Sequence, residues 1–269
     1  MNCDLSIVIV SWNARDLLLQ CLQSVADTLD DLSAETTVVD NASTDGTAAA
    51  VEEAFPWARV ISISPNRGFA AGNNVGIRAS TGRYVMLLNS DTLVPSGALA
   101  GLVEFMERHA DAGACGPRLV HPNQQIQAFA FGCDPTLSYL LKRGVNRLLR
   151  NRALHDWRTD KVQPVDWAAG TALVVRRQAL QSAGLLDETF YAYFEDNDWC
   201  LRIRQSGWQV YYNPQISIFH LGGQSLRKDP AARNAYYNSL LHFYAKHYSS
   251  FARWLLLICL APYRWLTRQ

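Results

Sequence analysis

Two short stretches of the sequence carry carboxylates at a spacing that could support chemistry. The first, Asn89-Ser90-Asp91, follows the apolar run at 84–88. A continuous apolar run predicts a strand buried on both faces, and open α/β sheets bind ligands just beyond the carboxyl ends of their strands. A carboxylate beside an amide is also a partial site for a hard divalent cation. Because Asp and Asn are common turn residues, these residues alone are equally consistent with a plain strand end.

The second stretch, residues 195–198, reads Glu-Asp-Asn-Asp and precedes a predicted helix over 199–206. Like charges this close raise one another's pKa, although the positive end of a helix dipole offsets part of that cost. Aromatic residues at 191, 193 and 194 favour a packed, partly dry cleft, which suits a general base acting on a hydroxyl group. The simpler interpretation is an acidic first helical turn, and Asp198 needs no other explanation.

A third candidate is His220, which follows a predicted strand at 215–219. A single histidine after a strand is usually structural, so its residue type does not assign it to a site. The other histidines have no comparable context.

The composition argues against several classes of protein. The 269 residues include 25 basic and 24 acidic side chains, so net charge gives no reason to expect nucleic acid as a partner. The six cysteines are scattered without a Cys-x-x-Cys pair, which argues against a zinc site or a disulfide scaffold and suits a reducing compartment. The apolar run that ends at Val10 lacks a basic flank, and we interpret it as a first strand rather than a signal peptide.

The elements that would position these residues alternate between strand and helix over residues 1–120. Strands are predicted over 5–10, 36–39, 59–63 and 83–88, and helices over 15–26, 47–54 (capped by residues 43–47), 68–79 and 96–109. This alternation predicts right-handed crossovers and an α/β fold with a mostly parallel central sheet. We therefore interpret residues 1–120 as a nucleotide-binding half.

Polar residues follow each of these predicted strands. Ser11 and Asn13 follow the first strand, Asp40 ends the second, and Arg67 and Asn73 lie in a glycine-containing segment after the third. Asp40 could accept a hydrogen bond from a base N–H or a ribose hydroxyl, and the glycines would let backbone approach a ligand. Neither the Gly-x-Gly-x-x-Gly fingerprint nor the phosphate loop with Gly-Lys-Ser/Thr is present.

Three of these segments together resemble the family 2 glycosyltransferases of GT-A fold. They read SIVIVSWN over 6–13, VVDNASTDGT over 38–47 and NRGFAAGNN over 66–74, and Asn89-Ser90-Asp91 stands where the family carries an Asp-x-Asp metal motif. The resemblance extends from Leu5 to about Gly223 and is strongest to bacterial rhamnosyltransferase-like members. One departure is Asn89, which replaces the first Asp of the metal motif.

The resemblance implies a metal-dependent, inverting glycosyltransferase that uses a nucleotide-diphosphate sugar, dTDP- or UDP-linked, with Mg²⁺ or Mn²⁺. It makes Asp196 the base, with Glu195 beside it on the acceptor side. Because the family commonly has a metal-binding histidine after this helix, His220 joins Asp91 as a predicted metal ligand. Nucleotide-sugar contacts are predicted at Ser11, Asn13, Asp40, Arg67, Asn73, Asn89, Ser90 and Asp91, and acceptor contacts at Asp166, Trp167, Gly170 and Glu195.

The remainder of the chain bears on the acceptor and on location. Residues 121–225 complete a predicted GT-A domain over 1–225, and 226–269 form a C-terminal helical extension. Residues 137–161 are basic and amphipathic, which is typical of a solvated face or of a membrane-surface helix. The segment 251–266 has an apolar run of about ten residues, too short for the roughly 20 of a spanning helix, and Pro262 interrupts it. We expect it to lie at the membrane interface with Arg253, Arg264 and Arg268, or else to pack on the core.

We therefore expect an enzyme of cell-surface polysaccharide synthesis, with rhamnose as one candidate sugar. The acceptor would be a saccharide or a polyprenyl-linked sugar, and the location the cytoplasm at the inner face of the cell membrane. One alternative is a sugar nucleotidyltransferase, but residues 11–13 lack the glycine-rich basic loop it needs. Another is a catalytically degenerate sugar-nucleotide-binding protein, against which the retained acids at 195–196 and His220 argue.

Overall fold

A mixed β-sheet flanked by helices forms the centre of the molecule. The computed structural model describes residues 3–29, 32–150, 154–222 and 230–266. The strands are β1 (Leu5–Ser11), β2 (Ala34–Asn41), β3 (Arg59–Ile63), β4 (Tyr84–Asn89), β5 (Thr92–Leu93), β6 (Ala112–Val120), β7 (Phe131–Gly132), β8 (Gln163–Pro164), β9 (Trp167–Ala168), β10 (Ala172–Arg176) and β11 (Gln209–His220). The helices are α1 (Arg15–Ala26), α2 (Thr47–Ala54), α3 (Gly68–Arg78), α4 (Ala98–Arg108), α5 (Leu137–Arg150), α6 (Arg177–Ala183), α7 (Glu195–Gln205), α8 (Pro230–His247) and α9 (Ser250–Leu266).

The main sheet joins a parallel half to a mixed half. Its strand order is β3-β2-β1-β4-β10-β6-β11-β5, and β8 pairs with β11 outside this path. The strands β3, β2, β1 and β4 are all parallel, which confirms the predicted alternation of strands and helices. The strand β10 is antiparallel to both β4 and β6, whereas β6 and β11 are parallel. The carboxyl ends of β1, β2 and β4 therefore lie along one edge, where the predicted polar residues follow them.

The apolar run at 84–88 is buried because β4 is covered on both sides. Met86 and Leu88 belong to one hydrophobic cluster with Leu18 of α1. Val85 and Leu87 point the other way, into a second cluster with Ile77 of α3. Alternate residues of the strand thus fill two cores, which explains why the strand shows no alternation of apolar and polar residues.

The glycines of α3 allow the helix to pack closely on β1. A Cβ atom at Gly72 would lie 2.7 Å from Val10 Cγ1, and one at Gly76 would lie 2.3 Å from Val8 Cγ1. The expectation that the glycines after β3 serve the approach of a ligand is therefore wrong for Gly72, which instead admits a valine side chain of the sheet.

The elements that carry the acids and His220 have boundaries that differ from the sequence prediction. Helix α7 begins at Glu195 rather than 199, so the acidic stretch forms its first turn instead of preceding it. The strand predicted at 215–219 is the end of a longer strand, β11. Its polar residues, including Asn213, hid the earlier part of that strand from a hydrophobicity pattern.

The helices α8 and α9 pack on the rest of the molecule through a third hydrophobic cluster. It contains Phe194, at the start of α7, with Phe243 of α8 and Leu256 of α9. Helix α9 extends past Pro262 to Leu266. Within the ranges given above, no helix is both long and apolar enough to cross a bilayer.

Candidate active site

A large cleft opens at the carboxyl edge of the parallel strands. Its volume is about 1570 Å³. One end is lined by Trp12, Asn41 and the Asn89-Ser90-Asp91 turn, and its middle by Gly170 with the first residues of α7. The two acidic stretches identified in the sequence therefore face one cavity, although about 100 residues separate them in the chain.

Asp91 lines one end of this cleft and lies beside His220. His220 Nε2 lies 3.3 Å from Asp91 Oδ1, and both side chains are largely buried. Backbone pairing produces this meeting, because His220 at the end of β11 lies opposite Thr92 of β5. The Leu221 N–H also donates to the Asp91 carbonyl over 2.9 Å.

The orientation of the His220 ring is fixed from its other nitrogen. His220 Nδ1 lies 2.8 Å from Gln127 Oε1, so Nδ1 donates to Gln127, and in the neutral ring Nε2 carries the lone pair. The Gln127 amide nitrogen donates to the His220 carbonyl over 2.6 Å and contacts His121 Nδ1 over 2.9 Å. This arrangement, in which an outer hydrogen bond orients a histidine, is typical of metal-binding histidines.

The residues at this end fit a divalent cation. His220 Nε2 is buried and has no hydrogen-bond partner, although buried polar atoms are normally paired. Together with Asp91 it offers one nitrogen and two carboxylate oxygens. Within the described ranges, no group of three or more His, Cys, Asp or Glu side chains is arranged to hold a metal. A bound ion would complete its shell with water or phosphate oxygens, as Mg²⁺ commonly does.

The backbone before α7 turns sharply to present its acids. Tyr193 and Phe194 both have positive φ angles, 67° and 66°, a conformation that side chains rarely adopt and that clusters at functional sites. Asp196 Oδ2 accepts the Gly170 N–H over 3.1 Å, and Asp196 Oδ1 accepts the Asn197 N–H over 2.8 Å. These two donors fix the Asp196 carboxylate in the cleft and favour its charged form.

Burial raises the pKa values of both Glu195 and Asp196. Burial, with the nearby Asp196 charge, raises the pKa of Glu195 to about 8. Burial also raises the pKa of Asp196, but the backbone N–H groups that it accepts oppose the rise. Glu195 Oε2 has no hydrogen-bond partner. Asp196 is therefore the better placed of the two to carry the negative charge near neutral pH.

Of the predicted acceptor residues, Trp167 and Gly170 line the cleft. A Cβ atom at Gly170 would lie 3.2 Å from the Phe69 ring, and the Trp167 indole donates to the Cys133 carbonyl over 3.0 Å. Asp166 has another role: its Oδ2 accepts the Asp134 N–H over 2.8 Å. Asp166 thus connects two segments of the chain and is not among the residues that line the cleft.

Some of the predicted nucleotide-binding residues also line the cleft, whereas others form hydrogen bonds within the protein. The turn 89–91 lines the cleft. Ser11 has a buried hydroxyl without a partner and lies opposite Asp40 in the β1–β2 register, whereas Asp40 accepts the Ser43 N–H over 3.2 Å. Asn13 Oδ1 accepts the Thr44 N–H over 2.8 Å, so it joins two loops at the cleft edge.

Arg67 and Asn73 form contacts within the protein and are not among the residues that line the cleft. Arg67 forms an ion pair with Glu188 at 3.0 Å. Asn73 is buried within α3, where its amide donates to the Phe69 carbonyl over 2.9 Å. Asn41 lines the cleft together with Asn66, Gly68 and Phe69. The Asn41 side-chain amide donates to the Gly68 carbonyl, and its oxygen accepts the Arg67 N–H.

Sequence reasoning missed two groups of residues. Gln127 lies 93 positions from His220, and no spacing signal connects them. Asp198, interpreted as an ordinary helix-start acid, is fully buried and contacts two cations and a histidine: Arg202 at 2.8 Å, Lys246 at 2.8 Å and His247 at 2.6 Å. Two of these belong to α8, so Asp198 fastens α8 to the helix that carries the cleft acids.

Comparisons with known proteins agree with this geometry. The model of the family described as glycosyl transferase family 2 matches residues 6–130, and that of glycosyl transferase family group 2 matches residues 84–267. The second match includes more than half of the chain, the turn at 89–91, the acids of α7, and His220.

Two curated relatives are rhamnosyltransferases. The N-acetylglucosaminyl-diphospho-decaprenol L-rhamnosyltransferase of Mycobacterium tuberculosis is 28% identical over 253 residues, which cover 86% of this chain and 78% of the relative. Rhamnosyltransferase WbbL of Escherichia coli strain K12 is 25% identical over 167 residues, 57% of this chain and 60% of the relative.

A solved structure with the same fold is the mannosyltransferase PcManGT from Pyrobaculum calidifontis, in complex with GDP-Man and Mn²⁺. It is 19% identical, its TM-score is 0.59, and the match covers 100% of this chain and 84% of the solved chain. At this identity the likeness concerns the fold, and it confirms the predicted GT-A architecture.

Proposed function

Because the chain belongs to glycosyl transferase family group 2, and is therefore a glycosyltransferase, we propose that it is an inverting, metal-dependent enzyme of glycan synthesis. Its donor is a nucleotide-diphosphate sugar, dTDP- or UDP-linked, and its acceptor a lipid-linked saccharide. Rhamnose is the first candidate sugar, because the names of two relatives carry it. The observation that carries the proposal is the shared cleft, which is lined both by Asp91, the partner of His220, and by the acids of α7.

The reaction is a direct displacement at the anomeric carbon. An acceptor hydroxyl loses its proton to Asp196, its oxygen bonds to the anomeric carbon, and the bond from that carbon to the diphosphate oxygen breaks. The nucleoside diphosphate leaves with the bonding electrons, and the configuration inverts. No covalent intermediate with the protein forms, so one base suffices.

Asp91 and His220 would hold a Mg²⁺ or Mn²⁺ ion. A divalent ion there supplies positive charge that neutralises the leaving diphosphate. The protein's own contribution is the fixed lone pair of His220 Nε2, which Gln127 orients, and the buried carboxylate of Asp91. Asn89, at the position of the missing Asp, leaves these two side chains as the main protein ligands.

Asp196 and Glu195 divide the acid–base work. The Asp196 carboxylate, held by the Gly170 and Asn197 N–H groups, accepts the proton. Glu195, with its pKa raised to about 8 by burial and by the Asp196 charge, stays protonated near neutrality. A neutral carboxylic acid can donate a hydrogen bond to the acceptor and adds no second negative charge beside the base.

The enzyme acts at the cytoplasmic face of the cell membrane, as a peripheral protein. Support comes from the outer surfaces of α5 and α9, where Leu149, Phe251 and Trp254 expose between 54% and 74% of their surface. Exposed apolar side chains on amphipathic helices suit the headgroup region of a bilayer. All six cysteines are free thiols, in keeping with a reducing compartment.

A thermal-shift screen of nucleotide sugars with and without Mn²⁺ tests the donor class, because a ligand that binds the folded state raises its apparent stability. We expect dTDP- or UDP-sugars to raise the melting temperature only when the metal is present. Transfer is then measured with the selected donor and a diphospholipid-linked N-acetylglucosamine, and the anomeric configuration of the product is read by NMR. Retention of configuration, or binding unaffected by metal, would contradict the proposal.

A further inference from the structure

The cleft continues beyond the acids of α7 into a groove between three helices. We call this region the helical groove; it is lined by Leu137, Leu140, Leu141, Arg143, Val145, Tyr236, Tyr237, Leu240, Leu256, Cys259 and Leu260. All but Arg143 are apolar or aromatic, and they come from α5, α8 and α9. The donor and metal residues lie at the other end of the same cavity.

We propose that the helical groove binds the proximal hydrocarbon chain of a lipid-diphosphate acceptor and that Arg143 contacts its diphosphate. This inference rests on the proposed function, because it gives the acceptor of that reaction a place. Its basis is the physical continuity of the groove with the catalytic acids, together with the chemistry of its walls.

The groove joins the acids through a short series of aromatic contacts. Tyr193 and Phe194, directly before Glu195, have ring centroids 5.7 Å and 5.2 Å from that of Tyr236. Tyr236 in turn contacts Arg143. A ligand whose sugar hydroxyl reaches Asp196 therefore has Arg143 and then the apolar wall along its remaining length.

The charge of Arg143 is available to an anion. Its guanidinium interacts with the phenol groups of Tyr236 and Tyr139, and it forms no ion pair with a carboxylate anywhere in ranges 3–29, 32–150, 154–222 and 230–266. A guanidinium with neutral partners at the entrance to an apolar groove complements a ligand that carries phosphate at one end and hydrocarbon at the other.

The size of the cavity favours two ligands over one. Pockets for a single small molecule have volumes of roughly 300–1000 Å³, whereas this cleft measures about 1570 Å³. A nucleotide sugar at the strand edge leaves the helical groove free. A second soluble sugar would gain little from leucine and tyrosine walls, but a prenyl chain would bury its apolar surface there.

Cys259 gives a direct readout that does not depend on catalysis. It is exposed in the apo protein and lines the groove, whereas Cys21, Cys115 and Cys200 are buried. In the full chain with Cys133→Ser, which removes the other exposed thiol, the rate of maleimide alkylation at Cys259 is measured by mass spectrometry. Saturating farnesyl diphosphate should slow it about tenfold or more, and inorganic diphosphate should not.

The neighbouring position on α9 provides a matched control. Ile258 is exposed and does not line the cleft, so Ile258→Cys with Cys133→Ser and Cys259→Ser places a single exposed thiol outside the groove. Farnesyl diphosphate should leave its alkylation rate unchanged. Protection of both thiols would mean general coating of apolar surface, and protection of neither would mean that the groove binds no chain; each result overturns the proposal.

Two variants distinguish the binding contribution of the ligand's hydrocarbon chain from that of its diphosphate. Arg143→Gln should weaken protection by farnesyl diphosphate about tenfold and leave protection by farnesol unchanged. Cys259→Trp, which fills the groove, should raise the KM for a long-chain diphospholipid acceptor at least fivefold relative to a short-chain one, whereas Ile258→Trp keeps the parent's ratio. If Cys259 is protected but no transfer occurs, the proposed function fails and the lipid groove stands; if transfer occurs without protection, the groove fails alone.

Discussion

His220 Nε2 lies 3.3 Å from Asp91 Oδ1 with no hydrogen-bond partner of its own, while Gln127 holds the opposite ring nitrogen. The pairing of β5 with β11 sets this distance. A buried imidazole nitrogen with a free lone pair beside a carboxylate is costly without a partner. A divalent cation would satisfy both groups at once, and this pair is therefore the centre of the proposed metal site.

We expect His220→Ala to raise the Mn²⁺ concentration needed for donor binding at least tenfold, and Asp91→Ala to abolish metal-dependent donor binding. Gln127→Leu removes only the bond that orients the ring and should weaken metal affinity about 10- to 100-fold. Isothermal titration of Mn²⁺ in the presence of the donor measures all three. His242→Ala, at a half-exposed histidine of α8, is the control, and equal titration curves for His220→Ala and the parent would exclude His220 from the site.

Asp196→Asn keeps the shape of the side chain and removes the proton acceptor, so kcat should fall by about 10²-fold or more while donor affinity persists. Glu195→Gln preserves the neutral form of its side chain near pH 7 and should reduce kcat less. Because burial raises the pKa of Asp196, the acidic limb of the parent's pH–rate profile should lie above the ordinary range of an aspartate. A larger loss from Glu195→Gln than from Asp196→Asn would reverse the two roles.

The stability of the protein should depend on the protonation of Glu195. Burial and the Asp196 charge raise the pKa of Glu195 from 4.5 to about 8, so between these pH values the folded state binds a proton that the unfolded state has lost. This contribution is fully present below pH 4.5 and is lost as pH rises through about 8.

Glu195→Gln has no such proton to lose. As pH rises from 4.5 to about 8, the free energy of unfolding of this variant should therefore increase relative to that of the parent, by up to about 1.4 kcal/mol per pH unit. Urea unfolding at pH 5 and pH 9 measures the difference. Glu188→Gln is a control for which the effect should have the opposite sign, because a hydrogen bond from Asn74 and the nearby arginines lower the pKa of Glu188. A difference in unfolding free energy between Glu195→Gln and the parent that stays constant with pH would show that Glu195 is charged throughout.

The sequence was sufficient for the parts of the fold that are local or periodic. Helix α1 and strand β3 have the predicted boundaries, because their apolar residues follow one period from end to end. The start of α7 was placed four residues late, since three acids in one helical turn look unfavourable until their backbone donors and burial are known.

Contacts between distant segments could not be derived from spacing. The Gln127–His220 bond depends on β11 lying beside β6, and the Asp198 ion pairs depend on how α8 returns to α7. The hydrogen bond from the Thr44 N–H to Asn13 Oδ1 likewise joins residues that are 31 positions apart. Such polar partners carry no periodic signal in a single sequence.

Asp198→Ala should destabilise the protein by about 3–5 kcal/mol, because removal of one partner of a buried ion pair leaves the other charges uncompensated. Arg202, Lys246 and His247 would lose their shared carboxylate. Urea unfolding measures the loss, and Asp187→Ala, at a carboxylate with 21% of its side chain exposed, should cost less. An equal or smaller loss for Asp198→Ala would show that the network does not hold α8 in place.

The outer face of α9 is expected to bind anionic membranes. Phe251 and Trp254 expose 66% and 54% of their surface, whereas Leu256 on the opposite side is buried, so the helix both packs on the core and presents an apolar face. Arg253 adds positive charge, worth roughly 1 kcal/mol beside anionic lipid; the side chains of Arg264 and Arg268 lie outside the described residues.

Truncation of α9 would expose the core beneath it, so the decisive change is Phe251→Ser with Trp254→Ser, which leaves Leu256 packed. This variant should lose flotation with phosphatidylglycerol-containing liposomes and retain metal-dependent donor binding. Trp57→Ser removes a comparably exposed tryptophan, 43%, from the α2–β3 loop and should float like the parent. Because bound α9 would hold the helical groove at the depth of a lipid-linked acceptor, the double variant should also lose transfer to acceptor in liposomes but not to acceptor in detergent. Unchanged flotation of the double variant would mean that α9 packs on the core and does not bind the membrane.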